Sequence, residues 1–96
     1  MSGERESQQA VVRRVPASVA AVTLAVANFH RGGVIIHNDS TAVLFVKLGS
    51  GASSTDFTYR LATQASLEHR AGRVYRGPIT GAWESATGFA QVTELL

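Results

Sequence analysis

The stretch Val34-Ile35-Ile36-His37-Asn38-Asp39-Ser40-Thr41-Ala42-Val43-Leu44-Phe45-Val46-Lys47-Leu48 decides the fold class. Two apolar runs of strand length, rich in β-branched residues, flank a polar centre. Asn and Asp side chains bond their own backbone in turns, so residues 38–41 predict a turn and the whole stretch a β-hairpin. Lys47 marks the solvent face of the second run. Alternation along a strand then sends Leu44, Val46 and Leu48 into a core and leaves Phe45 facing outward, available to a neighbouring surface.

The same period continues on both sides. Upstream, Val22, Leu24 and Val26 alternate with Thr23, Ala25 and Ala27, which predicts a strand ending in a turn at Gly32-Gly33. Downstream, residues 49–54 form a Gly/Ser loop. Phe57, Tyr59 and Leu61 make the next apolar stripe, residues 67–69 a short strand, and Val74-Tyr75 a run broken by Gly77-Pro78. Ile79, Gly81 and Trp83 line one face of a further strand, on which Trp83 reads as a core residue before an interface anchor. A tight turn at residues 85–88 precedes a last strand over residues 89–95, with Ala90 and Val92 on one face. No amphipathic helix interrupts the series. The expectation is an all-β protein: a small antiparallel β-sandwich or jelly-roll-like barrel of about seven to eight short strands. Pro16 and the polar start divide the chain into an extended N-terminal arm, residues 1–14, and a single β domain, residues 15–96.

At 96 residues, one thin core is all the chain can build. Charged residues make up only 17%, below the roughly 25% usual for soluble domains. A low-charge exterior on a small domain points to a surface covered by something else. The net charge of +2 is a small imbalance. The basic residues are scattered; only Arg70, Arg73 and Arg76 lie close together, and no aromatic residues interleave with them, so nucleic-acid binding is weakly supported. There is no cysteine, hence no disulfide, thiolate nucleophile or Cys-based zinc site. A small domain without such staples often gains stability by oligomerising. The polar start lacks the apolar core of a secretory signal, and the uncharged run over residues 15–29 is too short to span a membrane, so no membrane association is expected.

Residue patterns argue against catalysis. Of His30, His37 and His69, none stands in a nucleophile motif, and Ser50 lies in a Gly/Ser loop without the strand-to-helix elbow of a hydrolase. His37 and Asp39 are too few for a metal site and fit a polar strand end. Glu68, Glu84 and Glu94 fall on separate strands with nothing pairing them across a cleft. No cofactor or metal is expected, and the chain reads as a non-enzyme.

One long pattern resembles a known group. It begins Arg31-Gly32-Gly33, runs through Asn38-Asp39-Ser40 and Leu44-Phe45-Val46-Lys47-Leu48-Gly49, and continues with Ala52-Ser53-Ser54-Thr55-Asp56-Phe57-Thr58. It closes with Tyr75-Arg76-Gly77-Pro78-Ile79-Thr80-Gly81-Ala82-Trp83 and Val92-Thr93-Glu94-Leu95. This is similar to small structural proteins of tailed bacteriophages, and the pattern spans about two thirds of the chain. The resemblance implies a non-enzymatic virion component, best matched by a capsid decoration, or cement, protein. Such proteins are β domains that sit over capsomer junctions, often as trimers, bound to the major capsid protein or other virion subunits. Neck, tail and baseplate roles use the same physics. Ser66-Leu67-Glu68-His69 departs from the Gly-aromatic-Glu stretch of the group. For the interface the expected residues are Phe45, Tyr75 and Arg76, with Arg13 and Arg14 tethering the arm to acidic shell surface. The rival is a carbohydrate- or receptor-binding module in which Trp83, Tyr59 and Tyr75 stack on sugars.

Overall fold

A computed structural model describes residues 9–70 and 74–96. Eight strands form: β1 (Ala10–Pro16), β2 (Val22–Ala25), β3 (Gly33–Ser40), β4 (Leu44–Leu48), β5 (Tyr59–Leu61), β6 (Ser66–His69), β7 (Ile79–Trp83) and β8 (Gly88–Leu95). They make two four-stranded antiparallel sheets, ordered β1-β8-β3-β6 and β2-β7-β4-β5. β1 pairs with β8, β2 with β7, β3 with β6 and β4 with β5. That nesting is what results when an antiparallel ribbon is rolled into two facing sheets, and it defines a jelly roll. The all-β sandwich expected from the strand spacing is therefore the fold.

The core lies between the sheets. Leu24, Ile36, Leu44, Val46, Trp83 and Val92 are all buried there. Along β8 the pattern is strict: Ala90, Val92 and Glu94 point inward and their neighbours outward. β7 is buried at every position, because the core covers one face and the chain between β4 and β5 folds back over the other. In that return segment Ala52 N–H donates to Thr80 Oγ1 (3.1 Å), Thr80 Oγ1 donates to Gly49 O (2.7 Å), and Lys47 pairs with Asp56 at 2.6 Å.

Three expectations are corrected. First, residues 34–48 are two strands but not a hairpin. β3 sits between β8 and β6, whereas β4 sits between β7 and β5 in the other sheet. The chain stays extended through Asn38-Asp39-Ser40, where the Asn38 side chain joins its own segment to β5 and β7. Its Nδ2 donates to Ala42 O (2.8 Å), Leu61 O (3.1 Å) and Ala62 O (3.1 Å), and its Oδ1 accepts from Ser40 Oγ (2.7 Å) and Trp83 Nε1 (3.2 Å). One buried amide thus fastens the corner where the chain crosses between sheets. Second, residues 10–14, expected in the arm, are part of the sheet. They belong to β1, where Val11, Arg13 and Val15 alternate inward and β8 supplies the ladder; residues 1–8 lie outside the described residues, as does Arg73. Third, Val74-Tyr75 is not a strand but part of the crossing from β6 to β7.

One glycine is required. Gly88 opens β8 at φ +98°, and a Cβ there would come within 2.6 Å of Ser40 Cβ and 2.7 Å of Asp39 O. Backbone strain and overlap add, so Gly88→Ala should destabilise the fold by about 2 kcal/mol. Chemical denaturation would show this as a lower midpoint at unchanged slope.

Candidate protein interface

At one end of the sandwich the β2–β3 connection, the segment before β7 and the free ends of β1 and β8 come together. Arg31 organises this end. Its side chain is wholly buried, and its guanidinium has a partner on each nitrogen. Nε donates to Glu94 Oε2 (2.7 Å), Nη1 to Tyr75 O (2.7 Å) and Gly77 O (3.0 Å), and Nη2 to Val26 O. The second oxygen of Glu94 accepts from Arg13 Nη2 (3.1 Å), which also donates to Leu24 O (3.2 Å). Leu24 falls where the β2 register shifts, and its carbonyl is met by this side chain. Two arginines around one buried carboxylate leave one positive charge in excess, and Arg13, the partner nearer solvent, carries it.

The fan of bonds from Arg31 holds the connection between β2 and β3 in one shape. Arg31 N–H donates to Asn28 O (3.2 Å), His30 N–H to Asn28 Oδ1 (2.9 Å), Asn28 N–H to Arg76 O (2.9 Å) and Gly32 N–H to Leu95 O (2.7 Å). The tip of this braced turn is Phe29, which is 87% exposed, with Val26 beside it at 64%. A fully solvated phenylalanine on a fixed turn is the type of anchor that fills a pocket on a partner.

The five residues expected at an interface are not assembled in one place. Tyr75 and Arg76 do lie at this end: Tyr75 is half-buried against the core, while Arg76 is exposed and its Nε donates to Arg31 O (3.0 Å). Arg13 is turned inward onto Glu94, so its charge is engaged within the domain. Arg14 is exposed on the outer face of the β1-containing sheet, its guanidinium 3.9 Å from the Phe89 ring centroid. Phe45 faces away from the core, as alternation requires, but is only 5% exposed. The segment returning over β4 and β7 covers it, with Phe57 at 5.0 Å between ring centroids. Phe45 therefore packs a second, smaller apolar layer; beside it Val19, Ser53, Ser54 and Glu84 edge a half-open hollow of about 440 Å³. Trp83 is enclosed in the core, and Tyr59 packs against it with its hydroxyl 2.6 Å from His69 Nε2.

One side-chain chain has the outline of a catalytic relay. His37 Nδ1 lies 2.6 Å from Ser66 Oγ, and its Nε2 lies 3.2 Å from Gln64 Oε1. His37 and Ser66 are paired on the outer face of their sheet with Gln64 in the turn before β6, and the hollow beside Phe45 does not include them. Gln64 is neutral and cannot offset an imidazolium charge, so the arrangement is cross-strand polar packing. Among the described residues no group of three or more His, Asp or Glu side chains is placed to hold a metal.

Sequence reading missed Phe29, Arg31 and Glu94 as a unit. The available signal was a phenylalanine in polar turn surroundings, an arginine closing that turn and a glutamate on the inward-facing stripe of the last strand. No protein-family model, curated protein or solved structure matches the chain. What fold and site together define is a jelly-roll domain with a braced apolar tip at one end.

Proposed function

We propose that the chain is a non-enzymatic structural subunit of a tailed-phage particle that docks on neighbouring subunits and stabilises their assembly, in the manner of a capsid decoration protein. The observation that carries this reading is the exposure of Phe29 on a turn fixed by the buried Arg31–Glu94 pair. A turn whose backbone is already held in one shape loses little conformational freedom on binding, which favours tight docking. Arg76 beside it supplies a positive rim suited to acidic shell surface. The low share of charged residues and the motif resemblance are further support. Binding to the assembled state alone stabilises it by mass action. A neck, tail or baseplate position would use the same tip. The sugar-binding alternative loses its platform, since Trp83 is enclosed and Tyr59 and Tyr75 pack against the core.

Phe29→Ser is the sharpest variant. The side chain makes little contact within the domain, so thermal stability should stay within about 0.5 kcal/mol of the parent. Occupancy on particles, read by quantitative mass spectrometry, should fall at least about tenfold, because an anchor of this kind contributes 2 kcal/mol or more, on the order of thirtyfold in affinity. Unchanged occupancy would remove Phe29 from the interface. Self-assembly, with a trimer as the favoured stoichiometry, is tested by light scattering on the eluting protein: a larger species that dissociates in Phe29→Ser supports it, and a monomer at high concentration rejects it.

A further inference from the structure

We infer that the open edge of β1 is a docking site for an extended acidic segment of a partner protein, added as a further antiparallel or parallel strand. The phase of the ladder comes from its two ends. Leu96 N–H donates to Gln9 O and Ala17 N–H donates to Gly88 O, both at 2.9 Å. In an antiparallel pair the residues facing the partner alternate, so positions 9, 11, 13, 15 and 17 turn their backbone groups toward β8. Ala10, Val12 and Arg14 then turn theirs away from it. Among the described residues no strand lies beyond β1 in its sheet. Among the described residues these three N–H donors and the matching carbonyls have no strand partner, and the row ends at Pro16, which has no N–H.

The side chains beside that ladder state the chemistry of the occupant. Val12 is 61% exposed. A groove of about 360 Å³ runs between β1 and β2, bordered by Arg13, Arg14, Val15, Leu24 and Val26. Arg13 crosses its floor to Leu24 O, and Arg14, stacked on Phe89, has no ion pair among the described residues. A second copy of β1 fits poorly. The two-fold register that uses the whole strand sets Arg13 against Arg13 and faces Ala10 with Pro16, which cannot donate. Like charges directly opposite are destabilising. Arginine and proline on an edge are a defence against self-pairing, and the same positive charge selects a strand carrying carboxylates. Backbone bonds supply affinity in this mode and alternate side chains supply specificity. The inference concerns the edge alone and holds whatever assembly the chain serves.

The test titrates the isotopically labelled chain with two short blocked peptides, one alternating glutamate and valine, the other alternating lysine and valine. The acidic peptide should slow amide exchange at Ala10, Val12 and Arg14 by about tenfold or more and bind less tightly as salt rises. The lysine peptide should bind at least about tenfold more weakly. Arg14→Glu should reverse that preference while leaving the fold intact. Val12→Pro, which deletes the central outward N–H, should abolish binding, whereas Val12→Thr should retain it. Equal response to both peptides, protection confined to another surface, or undiminished binding by a folded Val12→Pro variant would each overturn the inference.

Discussion

Glu94→Ala should destabilise the protein by about 3–5 kcal/mol, the figure expected when one partner of a buried ion pair is removed. The loss is not chiefly that of an attraction. It leaves Arg31, with no solvent exposure, as an uncompensated charge inside the end of the sandwich. The guanidinium cannot shed its proton to escape, and the three carbonyls it already contacts offer dipoles but no counter-charge. Arg13 loses its partner as well, but it reaches water and adds little. For a domain this small, each kcal/mol lowers the melting midpoint by roughly 4–8 °C, so the variant should melt at least about 12 °C below the parent. A double variant, Arg31→Met with Glu94→Leu, should recover part of the deficit, because apolar replacement removes both charges together. Recovery stays incomplete: Tyr75 O, Gly77 O and Val26 O then lack a donor. Calorimetry on the three proteins checks the ordering, and a Glu94→Ala midpoint within a few degrees of the parent would show that the pair does not hold this end.

The second large effect is at Asn38. Asn38→Leu keeps the branch at Cγ but adds bulk at a fully buried site, and should destabilise by about 3–5 kcal/mol. Trp83 Nε1 loses its acceptor and Leu61 O, Ala42 O and Ala62 O each lose a donor at the corner joining β3 to β4, although Ala42 O keeps Ser40 Oγ and Ala62 O keeps Ala65 N–H. Each buried orphan costs on the order of 1–3 kcal/mol, and partial rearrangement keeps the sum below simple addition. Asn38→Asp replaces the amide donor with a carboxyl oxygen facing those carbonyls. Its charged form is disfavoured in the folded state, so the folded pKa rises above the unfolded value of about 3.9. The unfolded chain then ionises first, and the variant should lose stability progressively as pH rises from about 4. Urea midpoints measured across that range test the sign; a variant more stable at neutral than at acid pH would contradict it.

Both predictions fall on residues that sequence reading placed in a motif but could not interpret. Strand content was legible, because alternation in residues 89–95 and 79–83 and the β-branched runs of 34–48 have no helical alternative. Partnership between strands was not. Local pattern cannot tell whether two adjacent apolar runs pair with each other or enter opposite sheets, and here the corner between the two runs is tied by one buried amide whose partners are Ala42, Leu61, Ala62 and Trp83. Phe45 shows a related limit: its face was correctly read, but its cover comes from a loop that composition marks only as Gly- and Ser-rich. Residues 10–14 did not read as a strand because Arg13-Arg14 reads as polar when the carboxylate that accepts Arg13 is 81 residues away in the sequence.

The motif positions now have a physical account. Arg31 bonds Glu94, Tyr75 O and Gly77 O, and Asn38 bonds Ser40 and Trp83. These positions of the long sequence pattern are thus part of the internal frame of this jelly roll. They speak for the frame, and the proposed function rests on what the frame presents, above all Phe29.

Cryo-electron microscopy of particles produced by the genome that encodes the chain is the most direct test of that role. The proposal expects repeated copies of the domain seated on the particle surface with the Phe29 end buried against a neighbouring subunit. Particles that lack the chain altogether, or that carry it with Phe29 facing solvent, would contradict it.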